Sequence, residues 1–481
     1  MTKHMKSHSI AKNTMFMTMA SVLQKVISFV YFAIVARNIG AVDTGKYFFA
    51  LSFTTIFVVF VDMGLTNVLV REGAKIKEKI QDYFSSILLV KLFLGLLSFV
   101  AVFIIINFLG YELETKTLVY VSAITMLFDS LHLSLYGTLR AFGNLKFEAL
   151  GIMVSQALTF ILGTFFLFSK FPLIYLMYAF LIPSFLNVVY ASSIVIFKYH
   201  LKFVPKYDKK ILKYIIPIVI PFALAAIFGR IYSFSDSILL SKLAGDEVLG
   251  WYSIPSKIAY ALNFVPLALV AALYPKFSEY YAHNKEKLSF AFHQSIKYLL
   301  VVALPFVVIV FLLSEDIIVY LFKTEYLNSV LPLKILMVGV IFAYLNFIFG
   351  SVLNACDRQK TQTTLIGIMM IINIVLNLLL IPSLGAVGAS IAALVGNFGM
   401  FALSLFFISK FNKFDFSFLN KLFLQLFVTL FVMYAITWLI DIYFGFIVAL
   451  FVGGLTYLLM LFVTRTITKK QILEMMRLTS K

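Results

Sequence analysis

Long apolar runs, separated by short polar segments, follow one another along almost the whole chain. Most runs contain about 20 residues, the length at which an α-helix crosses the hydrocarbon core of a bilayer. Six lie near residues 14–36, 46–70, 83–108, 118–139, 148–168 and 173–197. Eight more lie near residues 215–240, 250–273, 297–313, 333–354, 361–381, 386–408, 421–440 and 445–464. The pattern predicts an all-α polytopic membrane protein with about 14 transmembrane helices.

A degenerate internal repeat relates the first part of this pattern to the second. Residues 25–47 reappear as residues 230–252, and each copy holds an apolar helix, a Gly-x4-Gly turn and an aromatic residue after it. The matched pairs are Lys25 and Arg230, Ser28 and Ser233, Phe29 and Phe234, Arg37 and Lys242, Gly40 and Gly245, Gly45 and Gly250, and Tyr47 and Tyr252. A second match relates residues 141–146 to residues 355–360. Together they predict a duplicated six-helix unit whose two copies run parallel.

The repeat divides the chain into four parts. Residues 1–197 and 215–408 are the two predicted six-helix bundles, related by pseudo-symmetry. Residues 198–214 form a basic cytoplasmic connector, which is either a helix lying in the headgroup plane or a solvated linker. Residues 409–481 add two transmembrane helices and a cytoplasmic tail.

Composition supports the membrane assignment and fixes an orientation. The 481 residues are 62% hydrophobic and only 13% charged, which excludes a soluble globular domain. The formal net charge of +18 does not indicate nucleic acid here, because lysine and arginine collect in alternate loops that we place in the cytoplasm. We expect a multi-pass protein of the cytoplasmic membrane with both termini inside, in contact with membrane lipids. The first apolar run is long for a signal peptide and is predicted to be retained.

Charged side chains inside the predicted spans are the candidate functional residues. Each costs roughly 2.5–3.5 kcal/mol to insert, so such groups usually face a cavity or a partner. The candidate substrate-binding cations are Lys25, Lys91, Arg230 and Lys257. The candidate coupling or gating residues are Asp62, Asp129, His132 and Asp236. Lys25 and Arg230 occupy equivalent repeat positions deep in their spans, and this placement predicts a cationic chamber.

Several of these residues have a structural alternative. Lys91 and Lys257 lie close enough to a membrane surface for their ammonium groups to extend into the headgroups. Asp62 can pair with Lys25 or with Lys91 as a structural lock. His132 follows Asp129 by one helical turn on the same face, and it is either a proton carrier or a packed polar group.

Enzyme signatures are missing from the sequence. The chain has no Gly-Lys-Ser or Gly-Lys-Thr phosphate-binding loop, and no long extramembrane loop carries paired carboxylates. Cys356 is the only cysteine, which excludes an internal disulfide and a cysteine metal site. We therefore expect a transporter rather than an enzyme, without a cofactor or a catalytic metal, and with Na⁺ or H⁺ as the candidate coupling ion.

Three segments resemble a known family. The run KNTMFMTMASVLQKVISFVYFAIVARNIGAVDTGKYFFALSF, the second-span DMGLTNVLVRE and the step LRAFGNLKFEALG are similar to polysaccharide-transport flippases. Their superfamily also holds the multidrug and toxin extrusion antiporters. The resemblance implies two six-helix bundles in a V and alternating access around a central cavity. It also implies a lipid-linked oligosaccharide on a polyprenyl phosphate or pyrophosphate as cargo, with Lys25 and Arg230 in the role of the family's basic cavity residues.

Two other classes of protein stay open at this point. A multidrug or cation antiporter of the same fold is the main alternative, but it needs an acidic or neutral cavity, and this interior is rich in cations. A membrane-embedded polymerase or ligase needs a large outer loop for its catalytic groups, which the chain lacks. No nucleic-acid partner is expected, and we expect the protein to function as a monomer.

Overall fold

Helices form all the regular structure in the part of the chain that is described. The computed structural model describes the backbone of residues 2–412 and 415–467, and the side chains of residues 16–220, 223–412 and 415–467. In chain order the helices are α1 (Thr2–Asp62), α2 (Leu65–Lys75), α3 (Ile80–Phe108), α4 (Leu113–Ala141), α5 (Lys146–Phe168), α6 (Ile174–Ser193), α7 (Lys209–Ala244), α8 (Asp246–Tyr260), α9 (Phe264–His283), α10 (Lys285–Leu312), α11 (Ser314–Phe322), α12 (Val330–Ala355), α13 (Gln359–Ser409), α14 (Phe416–Phe444) and α15 (Phe446–Val463). The predicted all-α architecture is confirmed, while the predicted tail beyond residue 467 lies outside the described residues.

The number of membrane-crossing helices agrees with the sequence. Twelve helical stretches of the described chain are long and apolar enough to cross a membrane. The stretches that contain α1 and α13 each hold two predicted spans, separated by Gly40 and Gly385. When these two stretches are each divided in two at the glycine, the twelve stretches give the fourteen predicted spans. One span differs in detail, because the predicted helix 250–273 is interrupted between the end of α8 and the start of α9.

Gly40 turns α1 back on itself. The Phe32 and Phe48 rings, on opposite sides of the glycine, are 6.3 Å apart between centroids. In a straight helix these residues would be separated by about 24 Å. Gly40 has φ 81° and ψ 174°, a conformation that is essentially restricted to glycine, so the residue permits the sharp turn. The two parts of α1 therefore form a helical hairpin, as the two predicted spans require.

The chain divides into two compact units, Met1–Ser253 and Ile254–Lys481. In the first unit α4 packs against α1, α2, α3, α5 and α6, and α7 packs against α1. In the second unit α12 packs against α9, α10 and α13, and α14 packs against α10 and α15. The boundary lies within α8, whereas the sequence repeat places all of α7 in the second bundle. The division into two six-helix bundles, residues 1–197 and 215–408, rests on the sequence repeat alone and stays a prediction.

The connector combines an exposed, non-helical segment with the first turns of α7, and its position relative to the membrane stays a prediction. Residues 201–208 are non-helical, and α7 begins directly afterwards with the Asp208 carboxylate accepting hydrogen bonds from the first turn. The extended part is held against α3: Gln81 donates to the Lys202 carbonyl at 2.9 Å and accepts from the Lys202 N–H at 2.7 Å. Phe203 packs on Phe84 with 5.8 Å between ring centroids. The connector thus docks on the first unit.

Candidate functional site

The two copies of the sequence repeat form the same turn. Gly245, which ends α7, has φ 91° and ψ 169°, close to the values of Gly40. Each glycine is followed by a helix that buries its matched aromatic residue, Tyr47 in α1 and Tyr252 in α8. The structure therefore gives both copies one local conformation, which supports the duplication predicted from the sequence.

The two turns also pack on each other reciprocally. A Cβ placed on Gly45 would lie 1.7 Å from the carbonyl oxygen of Asp246, and one placed on Gly250 would lie 2.0 Å from that of Ala41. Ala41 and Asp246 follow the turn glycines at equivalent repeat positions. Each copy thus presents its second glycine to the start of the other helix, which is the arrangement that a local two-fold axis produces. Only glycine permits so close a backbone approach.

This packing places Lys25 and Arg230 at equivalent depths. Each lies about 22 Å before its turn glycine, given a rise of 1.5 Å per residue. Their helices, α1 and α7, pack against each other. Both side chains are exposed, and no ion pair is found for either within the described residues. Since an unpaired cation at this depth is unfavourable in lipid, the geometry favours a polar cavity or an anionic ligand beside them.

Lys91 is held very differently from Lys25. Its side chain is nearly inaccessible, and its ammonium lies 2.5 Å from Asp62. It also donates to the Thr66 hydroxyl at 2.9 Å and to the Ser130 carbonyl at 3.0 Å, so its three N–H bonds all have protein acceptors. Of the two partners predicted for Asp62, Lys91 is therefore the observed one. A substrate contact by Lys91 stays a prediction, for which this geometry offers no free donor.

Asp62 supports the lysine from the break between α1 and α2. Its carboxylate accepts hydrogen bonds from the Gly64 N–H at 3.2 Å and from the Thr66 hydroxyl at 2.5 Å. These contacts satisfy donors at the start of α2, where no helical acceptor is available. The Asp62–Lys91 pair and its contacts thus tie four helices together, α1 to α4, and a gating role for Asp62 stays a prediction.

Asp129 and His132 form the second polar centre. His132 Nε2 lies 3.1 Å from Asp129 Oδ1, as their spacing on α4 predicts. The Ser184 hydroxyl on α6 donates to the same carboxylate oxygen. The Asp129 side chain is 49% exposed, whereas that of His132 is 19% exposed. The pair is therefore accessible from one side and packed on the other, and its coupling or gating role stays a prediction.

The last two candidates lie on α7 and α8. The Asp236 carboxylate on α7 accepts hydrogen bonds from the Tyr252 hydroxyl and from the Ser237 N–H, the second at 2.7 Å. Asp236 therefore helps to hold the α7–α8 hairpin closed, and its proposed coupling or gating role stays a prediction. Lys257 is a partly buried residue of α8 in the second unit. Its substrate contact is likewise a prediction.

Sequence reasoning missed a polar network between α4, α5 and α6. The Tyr136 hydroxyl donates to the Asn187 side chain, and Arg140 forms a two-point ion pair with Glu148, with an Nε–Oε2 distance of 2.7 Å. The signal was present, since positions 129, 132, 136 and 140 share one face of α4. It could not be interpreted because tyrosine, asparagine, arginine and glutamate are ordinary in helices, and only the packing brings them together.

Comparison with solved structures defines the class of protein. The fold is similar to that of the lipid II flippase MurJ in an inward closed conformation, with a TM-score of 0.75 and 18% sequence identity. The similarity covers 93% of this chain and 98% of that one. The chain is thus a multi-pass membrane protein with the fold of a transporter.

The family is shown by the sequence itself. Residues 10–281, more than half of the chain, match the family described as "Polysaccharide biosynthesis protein", and the chain belongs to that family. Residues 221–379 match the MatE family. The capsular polysaccharide biosynthesis protein CapF of Staphylococcus aureus is 24% identical over 81% of this chain and 96% of its own length. The probable low-salt glycan biosynthesis flippase Agl15 of Haloferax volcanii is 22% identical over 80% of each chain.

Proposed function

We propose that this protein is a flippase for a lipid-linked oligosaccharide. It carries the cargo, on a polyprenyl phosphate or pyrophosphate, across the cytoplasmic membrane for the assembly of polysaccharide or cell-surface glycan. The observation that carries the proposal is the pair Lys25 and Arg230, two exposed, unpaired cations at equivalent depth on packed helices. Arginine binds a phosphate bidentately and lysine binds it as a point charge, so the pair suits a pyrophosphate headgroup.

The names of similar proteins support the same cargo class. CapF is named for capsular polysaccharide biosynthesis, Agl15 for glycan flipping and MurJ for lipid II flipping. Each of these names concerns a sugar polymer or a sugar-bearing lipid. Transfer by alternating access needs no covalent chemistry, so we propose no catalytic residue and no cofactor. The coupling ion is assigned to the Asp129–His132 pair.

A multidrug or cation antiporter is the second candidate, favoured by the MatE match over residues 221–379. Such a protein attracts cationic cargo, and carboxylates such as Asp129 and Asp236 would serve it. The exposed Lys25 and Arg230 oppose it, because a cationic surface repels that cargo. The two candidates therefore predict opposite charge preferences.

Flipping in proteoliposomes tests the proposal. Purified protein is reconstituted with a fluorescent polyprenyl-pyrophosphate disaccharide, and the fraction accessible to an external reductant is followed over time. We expect Lys25→Gln and Arg230→Gln to reduce flipping to background, whereas Lys25→Arg and Arg230→Lys retain part of it. Lys170→Gln, which removes an exposed lysine outside the spans, is the matched control. Normal flipping by both glutamine variants, or transport of a cationic dye in place of the lipid, would refute the assignment.

A further inference from the structure

Lys297 of α10 is a buried lysine that, unlike Lys91, has no partner for its charge. The residue is only 8% exposed. In the part of the chain that the structure describes, its ammonium makes no hydrogen bond or ion pair, and no charged side chain lies within electrostatic range. Burial removes the hydration of an ammonium, which is unfavourable unless another group replaces the lost water. The described fold therefore leaves a cation at this point that needs an anion.

Two contacts show which helices cover Lys297. His293, one turn before it, accepts a hydrogen bond of 3.0 Å from the Asp415 N–H at the start of α14. Val301, one turn after it, accepts a hydrogen bond of 2.6 Å from the Tyr457 hydroxyl of α15. Because residues four apart lie on one face of a helix, Lys297 lies on the face between these two contacts. The α14–α15 hairpin therefore covers it.

The contact at Val301 has a local cause in α10. Pro305 follows Val301 by four residues and has no N–H, so the Val301 carbonyl lacks its helical donor. The Tyr457 hydroxyl, in a residue that is 4% exposed, supplies the missing hydrogen bond. The hairpin is thus attached to α10 on both sides of Lys297, and the surroundings of this lysine are fixed by the fold.

Gln294 provides a second polar group without a partner on the same face. It lies three residues before Lys297, and its Oε1 is buried without a hydrogen-bond partner among the described residues. Rotation of the amide by half a turn exchanges its oxygen and its nitrogen, so the side chain can present N–H donors in the same place. Lys297 and Gln294 can then donate to one anion. A phosphate, which has several acceptor oxygens, suits such a pair of donors.

The face that carries these two residues is open at its inner end. Phe290, two turns before Lys297 on the same face, is 67% exposed, so the described part of the hairpin covers Lys297 but not Phe290. An anion can therefore approach from the end of α10 that we place in the cytoplasm.

The depth of Lys297 suits a lipid phosphate. The α14 helix has 29 residues and is about 44 Å long, whereas the hydrocarbon core of a bilayer is about 30 Å thick. About 7 Å at each end of α14 therefore lies among the headgroups. Lys297 is about 6 Å along α10 from His293, which contacts the start of α14. It thus lies near the boundary between the headgroups and the hydrocarbon.

The ionisable neighbours of Lys297 do not supply the anion. The Asp415 carboxylate accepts a hydrogen bond of 2.9 Å from the Phe418 N–H at the first turn of α14, and it forms no ion pair with Lys297. His293 accepts the Asp415 N–H at Nε2, so its Nδ1 donates to the Ser289 carbonyl at 2.6 Å and the ring is neutral. The ring therefore neither neutralises nor repels the ammonium.

We propose that Lys297 and Gln294 bind the phosphate of a membrane lipid, which enters between α10 and the α14–α15 hairpin from the inner surface. The phosphate accepts hydrogen bonds from the ammonium and the amide, while the lipid tails stay in the bilayer. Both a phospholipid and a polyprenyl phosphate carry this chemical group. The site uses neither Lys25 nor Arg230, and it does not depend on the proposed cargo.

Thermal unfolding of the full-length, delipidated protein in detergent tests the site. Lys297→Met should raise the unfolding temperature in the absence of lipid, because it removes a buried charge that has no partner. Phosphatidylglycerol should stabilise the unmodified protein, whereas diacylglycerol with the same tails should not. The half-saturating concentration of phosphatidylglycerol should rise about tenfold in Lys297→Met, through loss of a charge-assisted hydrogen bond, and less in Gln294→Leu. Lys297→Arg should retain the response, and Lys287→Met, at an exposed position of the same helix, is the matched control.

The same titration with polyprenyl phosphate, compared with polyprenol, distinguishes the two sources of phosphate. A Lys297-dependent response to phosphatidylglycerol identifies a phospholipid site, and one to polyprenyl phosphate alone identifies the carrier lipid. Two results would overturn the proposal. One is a Lys297→Met protein that is less stable than the unmodified protein without lipid, which would show that the lysine has a structural partner. The other is equal half-saturating concentrations in both proteins for each phosphate lipid. Both results leave the flippase proposal to its own test at Lys25 and Arg230.

Discussion

At the scale of single residues, the acceptors around a buried cation decide its role. The Lys91 ammonium has three acceptors, Asp62, Thr66 and the Ser130 carbonyl, and is shielded from solvent. Lys25 is exposed and has no ion-pair partner within the described residues. A cation whose N–H groups all have protein acceptors contributes to the fold, whereas a cation without an ion-pair partner is available to a ligand. The two lysines should therefore respond differently to the same substitution.

Loss of charge at Lys91 is expected to destabilise the protein. Lys91→Met leaves the Asp62 carboxylate buried without its partner, and Asp62→Asn leaves the Lys91 ammonium buried without a carboxylate. Each substitution should therefore lower the free energy of unfolding by about 3–5 kcal/mol. The double variant should recover part of the loss. Lys25→Met is the matched control, and its change should stay within about 0.5 kcal/mol. Thermal unfolding in detergent measures all four, and equal effects at Lys25 and Lys91 would contradict this distinction.

At the scale of elements, two glycine turns determine how α1 meets α7 and α8. Gly40 and Gly245 adopt nearly the same backbone conformation, and Gly45 and Gly250 each contact the backbone that follows the other turn. Lys242 of α7 also donates a hydrogen bond of 2.6 Å to the Leu109 carbonyl at the end of α3. Because the contact is between backbones, side-chain rearrangement cannot relieve an added methyl group there.

Alanine at Gly45 or Gly250 is therefore expected to force the two hairpins apart. Overpacking of this kind costs about 1–3 kcal/mol, which should appear as a lower unfolding temperature and slower lipid flipping. Gly229→Ala is the control, because it lies in α7 with no neighbouring atom within 4 Å of an added Cβ. It should be neutral or stabilising. Wild-type stability in Gly45→Ala would show that the reciprocal contact is looser than described.

The helices and turns were predicted from the sequence more completely than the contacts between helices. The apolar runs and the paired glycines predicted the α1 hairpin and its copy, since helix length and glycine turns are local properties. The Asp129–His132 contact was also local. The Tyr136–Asn187 bond joins residues on two helices, and no spacing rule connects them. Likewise, the docking of Lys202 on Gln81 joins residues 121 positions apart, so it could be seen only in the packed structure.

At the scale of the whole molecule, loop charge predicts the orientation in the membrane. Cations collect in alternate loops, so the connector and the α5–α6 loop should lie on opposite sides. The compact units join α7 to the first helices, a grouping that the repeat alone did not indicate. Its physical reason is the glycine contact, which attaches the start of α8 to α1.

Cysteine labelling of intact cells or spheroplasts tests this orientation. Ser169→Cys in the α5–α6 loop should react with an impermeant maleimide from outside, and Lys206→Cys only after permeabilisation. Native Cys356 should not interfere, because burial raises the pKa of its thiol to about 12 and leaves little reactive thiolate at mildly alkaline pH. Labelling of both introduced cysteines from the same side would overturn the predicted topology.

Binding of the polyprenyl pyrophosphate carrier, without its sugars, tests the assignment of Lys25 and Arg230 most directly. The affinity of purified protein for a polyprenyl pyrophosphate is compared with that for the uncharged polyprenol of equal length. We expect a strong preference for the pyrophosphate, and a loss of about tenfold or more in Lys25→Gln and in Arg230→Gln, since a charge-assisted hydrogen bond contributes about 1.5–3 kcal/mol. Polyprenol affinity and Lys170→Gln should be unchanged. Equal affinities of both glutamine variants and the unmodified protein for the pyrophosphate would contradict the account.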